Sequence, residues 1–310
     1  MGSERIAVIG NGIIGHGTTQ VFAMAGHPVT MIGRNPASLA TAVERIKASL
    51  KDFVAHGIVT QGEADAVPGR IKTSVALEDA RDADFVLEAV TEDLPLKIEI
   101  FAKLDALCRP DAILASSSGQ PASALVTKVG RKARVIAAHF WYPPQLIPLV
   151  EICGGPHCAP EVVGRTVELI RATGKTPVVI DKEVKGFIGN RLQFALLREA
   201  WALWADGVAK PEVIDAVVRT SFGRRVGITG PIESADIGGL ETMYNFARFL
   251  QPDISTAPEP PAKIAEVLKQ KQGTGEWPGL YDWKSRDRDA LVKRRMDELF
   301  RWLAEDRRKK

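Results

Sequence analysis

The chain has 310 residues, of which 45% are hydrophobic and 25% charged, and its formal net charge is +3 at pH 7. This composition is typical of a globular protein and excludes collagen-like and intrinsically disordered chains, and the length suggests about two domains. Because no run of about 18 apolar residues and no signal-peptide pattern occurs, we expect no membrane partner. Three cysteines, Cys108, Cys153 and Cys158, are too few for a disulfide framework, which indicates a reducing, cytoplasmic location.

The first half of the chain alternates short apolar runs with helical patterns. Gly26 and Gly57 end the first two helices, and Asn35-Pro36 begins the second with a capping side chain followed by a proline. Strands that alternate with helices predict an α/β fold with a doubly wound parallel sheet, covered by helices on both faces. The predicted strands are Ile6–Ile9, Pro28–Ile32, Ile71–Ser74, Asp84–Val90, Ala112–Ser116, Arg134–His139, Leu149–Cys153 and Thr176–Ile180.

The second half is helical throughout, because strand signals end after Gly186. We therefore predict an N-terminal α/β domain over residues 1–183 and an all-helical domain over residues 184–310. The segment Lys284–Lys310 holds eleven Lys and Arg against six Asp and Glu. It lacks the interleaved aromatic stripe or known motif that nucleic-acid binding requires, so it predicts a solvated, peripheral C-terminal helix and no nucleic-acid partner.

A glycine pattern lies between the first strand and the first helix. Gly10, Gly12 and Gly15, with Ile13 and Ile14 before the last, match G-x-G-x-x-G in the strand–turn–helix context that the motif requires. Gly10 permits a tight turn, Gly12 lets the backbone approach a pyrophosphate at the helix N-terminus, and Gly15 allows close packing of helix on strand. The pattern predicts a Rossmann-type dinucleotide-binding domain.

The end of the second strand indicates which dinucleotide binds. The acidic residue that would accept a hydrogen bond from the ribose 2′-hydroxyl is missing, because Gly33 stands in its place, and Arg34 follows. A guanidinium can bind a 2′-phosphate through two hydrogen bonds, so this pair favours NADP. NAD is the alternative, in which case Arg34 stacks on the adenine or points to water.

Several further motifs occur in a fixed order along the chain, and together they resemble the 3-hydroxyacyl-CoA dehydrogenase family, including its lambda-crystallin and L-gulonate 3-dehydrogenase branch. The resemblance implies an NAD(P)-dependent dehydrogenase of the EC 1.1.1 type with a helical second domain that closes the site and forms a homodimer. It also suggests a role in fatty acid metabolism. The motifs are Leu87–Asp93, Ala115–Ser118, His139–Pro144, Ile147–Glu151, Gly186–Leu192 and Asp236–Leu240.

The catalytic residues follow from this resemblance and from the chemistry of alcohol oxidation. The reaction needs a base near neutral pH, which His139 can supply, and Glu151 is the matching carboxylate that would orient its ring. Asn190 and Ser118 are the matching polar partners of the substrate oxygen. One missing residue leaves open whether the family's serine position falls on Ser118 or Gly119, and Asn190 is alternatively a cap of its helix.

Glu92 and Lys97 match residues that contact the cofactor in relatives. In members of the family that use CoA, a serine and a lysine on the helix after the second strand touch the CoA nucleotide. Ser49 matches the serine, whereas His56 stands where the lysine would be, with Lys51 nearby. A CoA thioester such as 3-hydroxybutyryl-CoA is therefore the expected substrate, and a free hydroxy acid or other small alcohol is the alternative.

Three other interpretations are weaker. A non-catalytic, crystallin-like protein would bind the dinucleotide without turnover. A lysine-dependent β-hydroxyacid dehydrogenase would use Lys185, which lies just before the long helix of the second half, and would leave His139 without a role. A zinc site is not expected, because only His157 accompanies Cys153 and Cys158 and no acidic residue completes a ligand set.

Overall fold

The computed structural model describes residues 3–272, 277 and 279–308. It contains one eight-stranded sheet in the order β3-β2-β1-β4-β5-β6-β7-β8. The strands are β1 Ile6–Ile9, β2 Val29–Ile32, β3 Ile71–Ser74, β4 Phe85–Glu88, β5 Ile113–Ser116, β6 Val135–Phe140, β7 Leu149–Cys153 and β8 Thr176–Val179. All eight predicted strands are confirmed to within two residues at either end.

The helices of the first half cover the sheet, and three of the six α-helices begin at a capping side chain. Asn35 caps its helix by accepting a hydrogen bond from the backbone N–H of Ser38 at 2.8 Å, as predicted. The α-helices are α1 Ile13–Met24, α2 Pro36–Ala55, α3 Gln61–Ala66, α4 Leu94–Leu107, α5 Ala122–Leu125 and α6 Pro160–Ala172. Short 3-10 turns lie at Pro68–Arg70, Leu77–Ala80 and Lys132–Arg134.

The two faces of the sheet bury different side chains of the same strands. On β1, Ile6 and Val8 join one apolar cluster, whereas Ala7 and Ile9 join another. This alternation is the period-2 pattern of a strand that is covered on both faces. It confirms the doubly wound α/β fold of the first half.

The prediction that the sheet is entirely parallel is wrong for its last two strands. β6 pairs with β7 in the antiparallel direction, and β7 pairs with β8 in the parallel direction. Residues 141–148, which connect β6 to β7, are too few for the crossover of about a dozen residues that a parallel connection needs. The chain therefore reverses there, and α6 supplies the crossover from β7 to β8.

The second half is helical in the part that the structure describes, as predicted. Its helices are α7 Phe187–Ala205, α8 Pro211–Thr220, α9 Gly223–Val226, α10 Pro231–Ile237, α11 Leu240–Leu250, α12 Ala262–Lys271 and α13 Arg288–Arg308, with a 3-10 turn at Gln251–Asp253. No described helix has both the length and the apolar character that a membrane span requires.

The chain forms two compact units whose boundary differs from the predicted one. The first unit extends to Ile188 and resumes at Val292, and the second covers Gly189–Leu291. Most of α13, the basic helix assigned from sequence to the second domain, therefore belongs to the first unit. The reason is apolar contact: Phe300 is buried, its ring lies at 5.2 Å from that of Phe53, and it stacks on His56 at 4.0 Å.

Candidate active site

The glycine loop between β1 and α1 has the geometry that its motif predicts. Gly10 has a φ of +111°, and a Cβ atom there would lie 2.5 Å from the carbonyl oxygen of Ala89. A Cβ atom on Gly15 would lie 2.0 Å from the carbonyl oxygen of Gly10, so both positions exclude any side chain. A Cβ atom on Gly12 would have no neighbouring atom within 4 Å. The loop is therefore closed toward the sheet and open at Gly12, where a pyrophosphate would approach the N-terminus of α1.

The isoleucines of the loop and the first turn of α1 have separate environments. Ile13 is 56% exposed, whereas Ile14 packs against the core.

His16 donates a hydrogen bond from Nδ1 to the carbonyl oxygen of Gly12 at 2.6 Å. Burial lowers the pKa of His16, and this hydrogen bond offsets the effect only in part. The neutral form of the imidazole is therefore favoured beside the loop.

Gly33 lies at the carboxyl end of β2, where an acidic residue would select NAD. A Cβ atom there would lie 2.8 Å from Leu39 Cδ2 and 3.0 Å from Asn11 Cγ, so a larger residue would require these two side chains to shift. Arg34 is exposed. No hydrogen bond or ion pair of its side chain is found within the described part of the chain. The guanidinium is therefore available to a ligand at this corner of the sheet.

His139 and Glu151 form the central pair of the site. They are opposite residues of the antiparallel β6–β7 ladder, and His139 Nδ1 lies 2.8 Å from Glu151 Oε2. Glu151 is 2% exposed and also accepts hydrogen bonds from the indole N–H of Trp141 at 3.0 Å and the backbone N–H of Ile188 at 3.0 Å. A carboxylate that accepts from Nδ1–H leaves Nε2 of the imidazole as the free basic nitrogen.

The start of α7 is built onto this pair. Phe187 is fully buried with a φ of +49°, a left-handed conformation that a bulky residue rarely adopts, and its ring lies 5.5 Å from that of His139. The backbone N–H of Gly186 donates to the carbonyl oxygen of Gly119 at 2.8 Å. Asn190 lies in the first turn of α7 and belongs to the second unit. Its role toward the substrate oxygen stays a prediction.

Five polar side chains form a closed ring at the carboxyl ends of β4 and β5. Buried Glu88 accepts from Lys97 Nζ at 2.7 Å and from Ser116 Oγ at 2.6 Å. Lys97 Nζ lies 3.5 Å from Glu92 Oε2, and Glu92 Oε1 accepts from Ser118 Oγ at 2.6 Å. The backbone N–H of Ser118 donates to Ser116 Oγ at 3.1 Å, which closes the ring.

The structure therefore brings together three residues that the sequence proposed separately for catalysis and cofactor binding: Ser118, Glu92 and Lys97. Sequence reasoning missed Glu88 and Ser116 as members of the same cluster. The available signal was a carboxyl group inside the apolar strand Phe85–Glu88, since a charged residue in a buried strand is rarely found without a partner.

The remaining candidates lie elsewhere or are not supported by geometry. His56, on α2, is stacked against Phe300 and bonds to Asp297 at 3.2 Å. Lys185 is exposed in the turn before α7. The three cysteines are free thiols, and burial raises the pKa of Cys158 to about 11. Among the described residues no group of three or more His, Cys, Asp or Glu side chains is placed to hold a metal ion.

Comparison with known proteins places both halves of the chain in known domain families. Residues 5–184 match the model of the 3-hydroxyacyl-CoA dehydrogenase NAD binding domain, and residues 186–283 match that of the 3-hydroxyacyl-CoA dehydrogenase C-terminal domain. The whole of α13 lies beyond both matches.

Individual relatives cover nearly the whole chain. The 5-formyl-3-hydroxy-2-methylpyridine 4-carboxylate 5-dehydrogenase of Mesorhizobium japonicum is 31% identical over 96% of this chain and 96% of its own. The probable 3-hydroxybutyryl-CoA dehydrogenase of Bacillus subtilis is 32% identical over 91% of this chain and 98% of its own. A solved structure described as that pyridine carboxylate dehydrogenase, an NAD+ dependent dismutase, has a TM-score of 0.87 and 29% identity over 98% of this chain and 99% of its own.

Proposed function

The chain belongs to the 3-hydroxyacyl-CoA dehydrogenase family of NAD-dependent dehydrogenases, and we propose that it oxidises a hydroxyl group beta to a thioester or carboxylate carbonyl, or reduces the corresponding ketone. The observation that carries the proposal is the His139–Glu151 contact of 2.8 Å near the carboxyl end of β6, the side of the sheet where open α/β folds bind their ligands.

The residues at hand fit a nicotinamide dinucleotide, because the loop at Gly12 is open and Gly10 and Gly15 admit no side chain. When bound, such a dinucleotide would supply the hydride acceptor for alcohol oxidation. His139 Nε2 takes the hydroxyl proton, and Glu151 stabilises the imidazolium that forms. In ketone reduction His139 returns that proton. Asn190 and Ser118 are the proposed polar partners of the substrate oxygen; because the single hydroxyl proton of Ser118 is donated to Glu92 here, Ser118 must turn from Glu92 to donate to the substrate.

For the cofactor we favour NADP over NAD. The support is the absence of a carboxylate at Gly33 together with the exposed guanidinium of Arg34. Without a carboxylate at Gly33, nothing at that position repels a 2′-phosphate. Fluorescence titration with NADPH and NADH tests this choice, and a lower Kd for NADH is the result that would reverse it.

Among the two substrate classes, one structural observation favours a free carboxylate over a CoA thioester. The α2 position matched to the CoA-binding lysine is His56, and α13 places Phe300 on one face of its imidazole at 4.0 Å. This position therefore offers no free ammonium group to a CoA phosphate. Relatives acting on either a pyridine carboxylate or 3-hydroxybutyryl-CoA are known in the family. Turnover of acetoacetyl-CoA compared with acetoacetate distinguishes the two classes.

We further propose that the protein is a homodimer formed through its second unit. No described residue from Gly189 to Leu291 is buried. Large apolar side chains of α11 are exposed instead, including Phe246 at 62% and Phe249 at 72%. An apolar helix surface of this kind is stable in water only when a partner covers it. A second copy supplies that cover, and sedimentation velocity measures the mass that tests it.

A non-catalytic, crystallin-like role is the competing function. It predicts dinucleotide binding without turnover, whereas the intact His139–Glu151 pair provides the base that turnover requires. For location, the three free cysteines support a reducing compartment such as the cytoplasm.

A further inference from the structure

Glu88 is a fully buried carboxyl group that the reaction described above does not use. It is 0% exposed at the carboxyl end of β4. Its Oε1 accepts from Lys97 Nζ at 2.7 Å and from the backbone N–H of Val90 at 2.7 Å, and its Oε2 accepts from Ser116 Oγ at 2.6 Å. Burying a carboxylate costs free energy, and an apolar side chain at this position would avoid that cost. The presence of Glu88 therefore points to a role beyond packing.

The partners of Glu88 lead directly to Glu92, which is exposed, and to Ser118, which is buried. Lys97, with a side chain 1% exposed, connects Glu88 to Glu92, whose side chain is 52% exposed. Ser116 connects Glu88 to the backbone N–H of Ser118. Ser118 Oγ in turn donates to Glu92. The orientations of Glu92 and Ser118 therefore both depend on one buried carboxyl group.

The ring lies at the point where the strand order of the sheet reverses. β1 pairs with β2 on one side and with β4 on the other. Dinucleotides bind across this reversal, with one half on each side. Arg34, at the end of β2, marks the adenosine side, so the ring at the ends of β4 and β5 lies on the nicotinamide side.

We propose that Glu88 is a positioning residue for the dehydrogenase reaction: through Lys97 and Ser116 it holds Glu92 and Ser118 beside the nicotinamide. The inference rests on the proposed function. The ring contains two carboxyl groups and one ammonium group, Glu88, Glu92 and Lys97, and its excess charge is negative. Because the oxidised nicotinamide is cationic and the reduced one is neutral, this charge favours binding of the oxidised cofactor.

The test compares the wild type with Glu88→Gln, which keeps the size of the side chain and removes its charge. We expect kcat to fall about tenfold or more, because Ser118 and Glu92 lose their fixed orientation. We also expect the Kd of the oxidised cofactor to rise about threefold more than that of the reduced cofactor. Fluorescence titration measures both Kd values without substrate.

Asp105→Asn is the matched control, because it also removes a buried carboxylate from an ion pair, and Asp105 lies on α4, the helix that carries Lys97. Asp105 bonds to Arg134 at 2.7 Å, outside the ring. We expect this variant to lose thermal stability while keeping kcat and the ratio of the two Kd values. If Glu88→Gln and Asp105→Asn lose the same Tm and the same kcat, the positioning role is wrong. An unchanged ratio of the two Kd values in Glu88→Gln would also overturn it.

Ser116→Ala provides a second variant if Glu88→Gln fails to fold. It removes the hydrogen bonds of Ser116 Oγ to Glu88 and Ser118 and leaves the Glu88–Lys97 ion pair in place. It should lower kcat while leaving the Kd ratio near that of the wild type, and an unchanged kcat contradicts the proposal. Wild-type protein that binds no dinucleotide would instead refute the proposed function. Wild-type protein that binds and turns over, with variants that behave like it, would refute only the role of Glu88.

Discussion

His139 and Glu151 face each other across the antiparallel β6–β7 pair, with 2.8 Å between the imidazole Nδ1 and the carboxylate Oε2. Opposite residues of a ladder place their side chains on the same face of the sheet. A slip of one residue would turn Glu151 to the other face. The register of two strands thus determines the geometry of the base.

Replacing His139 by alanine should lower kcat at least about a hundredfold, the usual effect of removing a general base. The Kd of the cofactor should stay unchanged, because His139 contacts Glu151 rather than the glycine loop. Steady-state kinetics and fluorescence titration measure the two quantities. His157→Ala is the control, since His157 bonds only to the carbonyl oxygen of Val135, and it should keep kcat. A normal kcat in His139→Ala would remove the residue from the mechanism.

Glu151→Gln should lower kcat by about a hundredfold or more, because an amide can donate to Nδ1 and so favour the tautomer that lacks a free Nε2. Substrate KM should change much less than kcat. Glu183→Gln is a suitable comparison, since Glu183 accepts from the backbone N–H of Ser123 rather than from an imidazole. If Glu151→Gln lowers kcat no more than this control does, the carboxylate does not orient the base.

Arg34→Asp should raise the Kd of NADPH and lower that of NADH, because a carboxylate repels the 2′-phosphate and can accept from a 2′-hydroxyl. Titration of both cofactors measures the change in preference. Arg45→Asp, on the exposed surface of α2, controls for the change in net charge. A Kd for NADPH that does not move would show that Arg34 lies away from the 2′-phosphate.

Phe300→Ala should lower the free energy of unfolding by about 3 kcal/mol or more, the usual cost of truncating a buried Phe. Phe300 is 3% exposed and lies against Phe53 and His56. Chemical denaturation measures the loss, and Trp302→Ala, which is 50% exposed on the same helix, should cost far less. Cofactor affinity should survive in both variants, since Phe300 packs against Phe53 and His56 of α2 rather than against the glycine loop. If Phe300→Ala and Trp302→Ala lose the same free energy of unfolding, Phe300 does not belong to the core.

Asp84 should make the stability of the protein depend on pH. Burial alone would raise the pKa of its carboxyl group, but hydrogen bonds from Arg5 and Arg109 outweigh burial and lower it from 3.8 to about 2. The folded state therefore holds its proton less tightly than the unfolded state. The resulting stability is present above pH 4 and is lost as the pH falls toward 2.

Asp84 contributes at most about 2 kcal/mol to the free energy of unfolding in this way. Solvent screening reduces the contribution further, because half of the Arg5 side chain is exposed. The difference in unfolding free energy between the wild type and Asp84→Asn should therefore be largest above pH 4 and shrink toward pH 2. Asp111→Asn, with a side chain 67% exposed, should show a much smaller difference. A difference for Asp84→Asn that stays constant from pH 6 to pH 2 would contradict the lowered pKa.

Local patterns were sufficient for the elements and for the dinucleotide loop. The short apolar run of strands such as Ile6–Ile9 and the turn chemistry of Gly10 and Asn35 depend on neighbouring residues alone. The direction of β7 depended on how far residues 141–148 could reach, which a pattern of apolar residues does not encode. The packing of α13 on the first unit could have been predicted, because Met296, Leu299, Phe300 and Leu303 form one apolar stripe along the helix. The many basic residues of the segment suggested a solvated helix instead.

The sequence by itself determined the α/β class, the strand segments and the glycine loop, since each depends on residue type and short spacing, whereas the proposed roles of His139 and Glu151 came from the family resemblance. Only the tertiary structure decided which distant residues meet. Glu88 and Ser116 are 28 residues apart and bond at 2.6 Å because β4 and β5 are neighbours in the sheet. Strand order follows from the packing of the whole sheet, and no local pattern contains it.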